Sequence, residues 1–364
     1  MHISSNITPE AKHKISNNLY FVRGLAIFLV VVGHIIGNKD EGTGIRQLYQ
    51  QDIPILAWLY TFIYTFHMPI FFIASGISFA IFSKNNTNYI KFAKSRIFRL
   101  IIPLICWSPI YFILRVFSGK VSFSIFAIFY SILSAEFIFW FFPALFFASV
   151  LGFLVFQIIK NQRIYLFICI ILFLLSFYIK GLMSVWFYFN IFYTFGCLRA
   201  TDLAKIEQNL NKKSVLIVVL YTILLAFVML SIENLIVNPL LVKLVNGIIG
   251  FYLIYILASY DWSKLRFGLP HQPFSLLRNT IVYFGKISMS IYLLHIIFGS
   301  FTRTFLVKIG ITDVIPQFAI GLFVSLLGSV LTHNFLHNRS KLFLYSIGES
   351  VISEATTAAG RTTL

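Results

Sequence analysis

The chain has little charge. Charged residues make up 11% of its 364 positions, and only 12 residues are acidic. An average soluble domain is about 25% charged, so this composition excludes an ordinary soluble protein. The chain instead carries repeated apolar runs of roughly 20 residues, each long enough to span a bilayer. Since 59% of the residues are hydrophobic, we predict an all-α fold, a polytopic bundle of transmembrane helices.

Cysteine is also scarce. Cys106, Cys169 and Cys197 are the three in the chain, and they lie in apolar stretches without close spacing. This pattern argues against a disulfide framework and against a zinc site, and we expect no metal cofactor.

Acidic residues are nearly missing from the apolar runs and fall in loops or near span ends. The spans therefore lack the embedded carboxylate cluster typical of ion-coupled transporters. The net charge is +17, which in a soluble protein would suggest nucleic acid. Short basic loops on one membrane face explain it better through the positive-inside rule, so we expect no nucleic-acid partner.

The hydropathy pattern predicts about ten spans and a membrane domain over residues 19–336. A polar N-terminal segment, 1–18, precedes it, and a tail expected to be disordered, 337–364, follows. Of the 29 lysines and arginines, 21 fall in alternate segments that include both termini and 8 in the others, which predicts cytoplasmic termini. A shorter apolar run at 121–134 suits an interfacial or re-entrant position. The predicted spans are 19–37, 54–82, 97–116, 137–159, 163–179, 182–199, 214–232, 239–258, 281–301 and 314–334.

The first span carries Arg23 and His34, two ionisable residues in one apolar helix. Such residues are costly in a membrane and are functional candidates by default. Eleven positions of helix separate them by about 16 Å, so Arg23 lies near the inner face and His34 in the outer half. A histidine there suits a general base. The alternatives are a snorkelling anchor for Arg23 and a packing role for His34.

The second span contains His67, Pro69 and Ser75. Pro69 removes a backbone donor, which predicts a kink, and His67 is a second ionisable group in the same turn. Kinked helices at membrane depth are tolerated where they line a cavity or pack on a neighbour. A simple proline kink, with His67 bonded into the bundle, is the competing interpretation.

Two further spans carry polar patterns. Arg96 and Arg99 are three residues apart at the start of the third span, so α-helical spacing predicts one shared face that suits phosphate groups. Ordinary positive-inside charge is the alternative. In the ninth span, Tyr292 precedes His295 on one face, and His295 lies about 20 Å from the span's start. Its depth is comparable to that of His34, which predicts a shared polar cavity unless the match is chance.

Four segments together resemble the membrane acyltransferase 3 family, which includes O-acetyltransferases that modify surface polysaccharides. They occur in the family's order and cover about residues 19–300. The sequence departs from the family's pattern at Ile70, Met289 and, in a weaker fifth match over Phe139–Phe142 and Leu145, at Pro143. The four segments are Arg23 with His34, Phe66–Gly76, Arg96 and Arg99 with Pro103, and Gly285–His295.

The resemblance implies a multi-pass protein of the bacterial cytoplasmic (inner) membrane that transfers an acetyl group from acetyl-CoA to a hydroxyl of a glycan or lipid-linked sugar. Acetyl-CoA is then a co-substrate, and the bilayer is the other partner. We expect catalytic roles for His34 and Arg23, binding of CoA phosphates by Arg96 and Arg99, and orienting roles for His67, Ser75, Tyr292 and His295.

Three alternatives stay open on the sequence. A transporter of a small molecule or lipid-linked sugar would also use a kinked helix and buried histidines. The same chemistry could serve an amine, a peptide or another non-sugar acceptor, or use a succinyl donor. A covalent acyl-histidine or acyl-serine route is an alternative to direct transfer.

Overall fold

Apolar runs bounded by proline, glycine and polar caps become helices in the computed structural model. It describes residues 7–83, 88–203, 206, 220, 239–260 and 272–349, and these contain no β-strand. The helices are α1 (Pro9–Ile36), α2 (Pro54–Tyr64), α3 (His67–Phe82), α4 (Tyr89–Arg96), α5 (Ile102–Phe117), α6 (Ile125–Leu133), α7 (Phe141–Gly152), α8 (Gln162–Leu175), α9 (Leu182–Arg199), α10 (Pro239–Ser259), α11 (Gln272–Lys286), α12 (Ser288–Lys308), α13 (Val314–His337) and α14 (Lys341–Ser346).

Within the described ranges, seven helical segments are long and apolar enough to cross a membrane. The predicted spans at 163–179 and 182–199 correspond to α8 and α9, and α8 has only 14 residues. The predicted span at 214–232 lies outside the described residues except for Leu220. The total of ten spans and the cytoplasmic position of the termini stay predictions. The seven segments are Pro9–Ile36, Pro54–Phe82, Tyr89–Phe117, Ile125–Val155, Pro239–Ser259, Ser288–Lys308 and Val314–His337.

The chain forms two units. The first unit comprises residues 2–82 and 196–331. Its central element is α1, which packs against α2, α3, α10, α11 and α12. Thr8 caps the start of α1 by accepting a hydrogen bond from the Ala11 amide, and Gly37 ends it with a positive φ of 73°.

The second unit comprises residues 83–195 and 332–364, together with Met1. In it α5 packs against α6 and α14, and the Trp107 indole donates a hydrogen bond of 3.0 Å to the Ser346 carbonyl. Helix α14 falls within the segment that the sequence predicts to be a disordered tail, so this part of the tail is helical and packed. Residues 350–364 lie outside the described residues.

The second predicted span is interrupted before its proline. Helix α2 ends at Tyr64 and α3 begins at His67, with a short turn at Thr65 and Phe66 between them. Pro69 then lies in the first turn of α3, where a missing N–H costs little. The predicted disruption is therefore present, but it is a break between two helices that precedes Pro69.

Candidate active site

Gly24 and Gly285 mark the point where α1 and α11 cross. A Cβ added at Gly24 would lie 1.7 Å from a carbonyl oxygen of α11, and one at Gly285 would lie 1.8 Å from a carbonyl oxygen of α1. Only glycine permits two backbones to approach so closely. His34 and His295 each follow their glycine by ten residues, about 15 Å at the rise of a helix, and on the second path α12 continues from α11 after Ile287. The crossing therefore sets the register that brings both histidines to one level.

Helix α3 packs on α1 in the opposite direction. Arg23 Nη2 donates a hydrogen bond of 2.9 Å to Ser78 Oγ, and the Ser78 hydroxyl donates in turn to the Ala74 carbonyl oxygen. His34 follows Arg23 by eleven residues, and His67 precedes Ser78 by eleven. The two helices therefore carry two polar levels about 16 Å apart, one with Arg23 and one with the histidines.

His67 and His295 are held in the same way. In each ring Nδ1 donates to the carbonyl oxygen four residues earlier, at 2.7 Å to Ile63 and 2.8 Å to Ile291. Because a carbonyl only accepts, Nε2 keeps its lone pair in the neutral ring. The two residues are 2% and 1% exposed, and within the described part of the chain His295 Nε2 has no hydrogen-bond partner. His295 thus offers a fixed acceptor to an incoming O–H or N–H group.

His34 differs from these two histidines because its side chain is partly exposed. Its ring centroid lies 5.2 Å from that of His295 and 6.3 Å from that of Tyr64, and the Tyr64 ring centroid lies 4.7 Å from that of His67. A Cβ at Gly33 would come within 2.9 Å of the Tyr64 ring, so Gly33 admits that ring beside His34. We call His34, His67 and His295 the histidine cluster.

Tyr292 and Ser75 take different places around the cluster. Tyr292 is buried at 6% exposure, and its ring lies 6.3 Å from that of His295. Ser75 is partly exposed in α3, between the level of His67 and the level of Ser78. Tyr292 is thus adjacent to the histidine cluster, whereas Ser75 lies between the level of the cluster and the level of Arg23.

Three residues of this unit lie at the site although the sequence patterns do not predict them. Tyr64 packs edge-on against His67 at 4.7 Å and stacks on Tyr60 at 4.0 Å. Ser78 holds Arg23, and Lys243 in α10 acts electrostatically on His67. Lys243 has a signal in the sequence, because it is an ionisable residue inside the predicted span at 239–258.

Arg96 and Arg99 belong to the second unit. Residues Ile97–Ile101 form a π-helical turn, which has more residues per turn than an α-helix. Arg96 and Arg99 are therefore rotated further apart than the single face that α-helical spacing predicts. Arg96 is partly buried with its guanidinium 4.8 Å from the centroid of the Phe92 ring, whereas Arg99 is exposed. π-turns of this kind are frequent at functional sites.

A loop between α1 and α2 is fixed at the end of the first unit where the histidine cluster lies. Arg46 donates 2.9 Å and 2.5 Å hydrogen bonds to the two carboxylate oxygens of Asp52 and a 3.2 Å bond to the Gly37 carbonyl oxygen. Tyr49 donates to the Thr312 carbonyl oxygen. The hydrogen bonds from Arg46 lower the pKa of Asp52, and the pKa of Arg46 is raised in return.

The described residues contain no group of three or more His, Cys, Asp or Glu side chains placed to hold a metal ion. The histidine cluster instead offers one reachable ring and two fixed acceptors, a set suited to moving a proton.

A family model described as an acyltransferase domain, that of acyltransferase 3, matches residues 17–334. No curated protein and no solved structure matches the chain. The matched range contains the Arg23 level, the histidine cluster and the π-turn with Arg99.

Proposed function

This chain belongs to the acyltransferase 3 family, and we propose that it is an integral membrane O-acyltransferase that moves an acetyl group from acetyl-CoA to a hydroxyl of a cell-surface or exported glycan. The observation that carries the proposal is the histidine cluster, with one partly exposed ring beside two buried rings fixed as acceptors. In the proposed topology acetyl-CoA is cytoplasmic, Arg23 lies near the inner face of the bacterial cytoplasmic membrane, and the histidines lie in the outer half.

His34 acts as the general base. A ring nitrogen takes the proton from the acceptor hydroxyl while the oxygen attacks the thioester carbonyl carbon. The tetrahedral intermediate then breaks its C–S bond, and the protonated ring returns the proton to the leaving CoA thiolate. His34 suits this role because it is the member of the cluster that a substrate can reach.

The other cluster residues orient the reactants. His295 Nε2 is a buried acceptor whose direction is set by the Nδ1 bond to Ile291, so it can hold an O–H group of the acceptor beside His34. His67, Tyr292 and Ser75 have orienting roles for the acyl group or acceptor.

The donor is bound by arginines. Arg23 orients the donor at the other polar level of the first unit, and its hydrogen bond to Ser78 fixes the guanidinium there. Arg96 and Arg99 bind CoA phosphates, for which guanidinium groups are well suited. The π-turn that carries Arg99 supports a functional role for this segment.

The test is acetyl transfer by purified protein in detergent, with His34→Ala compared with His13→Ala. His13 is an exposed histidine on the same helix, so its loss controls for the substitution itself. We expect His34→Ala to lose transfer at equal protein level and His13→Ala to keep it. Near-normal transfer by His34→Ala would contradict the general-base role. Transfer in detergent also separates an enzyme from a transporter, because no compartments exist there.

A further inference from the structure

Lys243 lies inside α10, an apolar helix of 21 residues, and its side chain is directed into the first unit. Buried Asn246 and Gly250 follow it by three and seven residues, which places them on its face of the helix. Leu241 and Val245, two residues to either side, lie on the opposite face and are 45% and 53% exposed. Lys243 is therefore no lipid-facing residue that snorkels along the helix surface.

The packing of α10 on α1 brings Lys243 to the level of the histidine cluster. Asn18 Nδ2 donates a hydrogen bond of 3.0 Å to Ser259 Oγ at the far end of α10. His34 follows Asn18 by sixteen residues and Lys243 precedes Ser259 by sixteen, about 24 Å along each helix. The positive charge of Lys243 acts on His67, which agrees with this register.

The charge of Lys243 is not compensated by the part of the chain that the structure describes. No carboxylate there forms an ion pair with it, and no hydrogen bond to its ammonium is present. The loop cation Arg46, by contrast, is bonded to both oxygens of Asp52. Holding an ammonium partly buried without a counter-charge is costly, and a bound anion would remove that cost.

We propose that Lys243 binds a phosphate group of the acceptor molecule and so places the acceptor hydroxyl beside the histidine cluster. Lysine is a compact point charge that suits phosphate. The inference rests on the proposed acyl transfer and adds a positioning residue, Lys243, for a phosphate-bearing acceptor. The phosphate can be borne by a lipid, as in a lipid-linked sugar, or belong to a soluble acceptor. The position of Lys243 within an apolar membrane-spanning helix favours the lipid-borne form.

Binding to purified protein in neutral detergent tests this assignment without any acyl transfer. The probes are polyprenyl phosphate and inorganic phosphate, and the variants are Lys243→Gln and Lys243→Arg. Lys308→Gln is the matched control, because Lys308 is an exposed lysine at the end of α12. We expect wild type and Lys308→Gln to bind polyprenyl phosphate equally, Lys243→Gln to bind at least tenfold more weakly, and Lys243→Arg to bind within a few-fold of wild type.

Each outcome of this experiment is decisive. If the wild type binds inorganic phosphate but not polyprenyl phosphate, and Lys243→Gln weakens that binding, the result supports the site and assigns a soluble acceptor. Equal binding by wild type and Lys243→Gln overturns the assignment. If the Lys243 variants do not fold, the wild type is tested alone, with uncharged polyprenol as a competitor for bound polyprenyl phosphate. Competition by polyprenol that is as strong as competition by polyprenyl phosphate itself overturns the assignment. The binding measurement uses no acyl donor, so a failure of the acyl-transfer proposal appears separately, as transfer without His34, and leaves the binding result intact.

Discussion

The glycine crossing of α1 and α11 gives the sharpest quantitative prediction. In Gly285→Ala the new Cβ would lie 1.8 Å from the Tyr20 carbonyl oxygen. A carbon and an oxygen need about 3.3 Å, so the helices must separate by about 1.5 Å at the crossing. Because the crossing sets the register of His34 and His295, this shift displaces one ring relative to the other. A misplacement of about 1 Å can cost about 100-fold in rate, and we expect a loss of about that size.

The assay for Gly285→Ala is acetyl-CoA-dependent acetyl transfer in detergent, divided by the amount of folded protein. Gly321→Ala is the matched control, since its Cβ would meet Ile35 at an ordinary 3.5 Å, and it should keep activity within a few-fold of wild type. If folded Gly285→Ala transfers acetyl groups as fast as Gly321→Ala does, the crossing does not position the histidines.

Three further predictions concern groups around the site. His295→Phe keeps a ring but removes the buried acceptor, and losing such a hydrogen bond should lower kcat/KM for the acceptor by about 10- to 100-fold, with His13→Phe unchanged as the control. Arg96→Ala combined with Arg99→Ala should raise the KM for acetyl-CoA and leave the KM for the acceptor unchanged; an unaltered donor KM would contradict phosphate binding. The lowered pKa of Asp52 means that its ion pair stabilises the loop at neutral pH and loses this effect as the pH falls below the ordinary aspartate value of about 3.9. The difference in hydrogen exchange of the loop between wild type and Asp52→Asn should therefore be present at neutral pH and vanish in acid, and a difference that persists in acid would contradict it.

The period of the apolar residues and the depth estimated from the helical rise predicted much of the arrangement of helices and histidines in the first unit. Rise per residue alone placed His34 and His295 at a comparable depth, and their ring centroids are 5.2 Å apart. The helical character of the chain likewise follows directly from its apolar runs.

The sequence could not predict features that depend on local backbone geometry. The break at Thr65 and Phe66 precedes Pro69, because proline is tolerated in the first turn of a new helix. The π-turn that rotates Arg96 and Arg99 apart arises from one local change in hydrogen bonding, and no residue pattern in the sequence predicts it. The roles of Tyr64 and Ser78 depend on contacts between α1 and the segment that follows it, which only the packed helices reveal.

The central claim is that this protein is an acyltransferase that depends on His34. Mass analysis of surface glycans from cells carrying wild type, His34→Ala or His13→Ala tests it most directly, with the protein level in the membrane held equal. The account predicts glycans heavier by the mass of one acetyl group with wild type and His13→Ala, and no such increase with His34→Ala. The same acetylated glycan in all three, or in none, would contradict it.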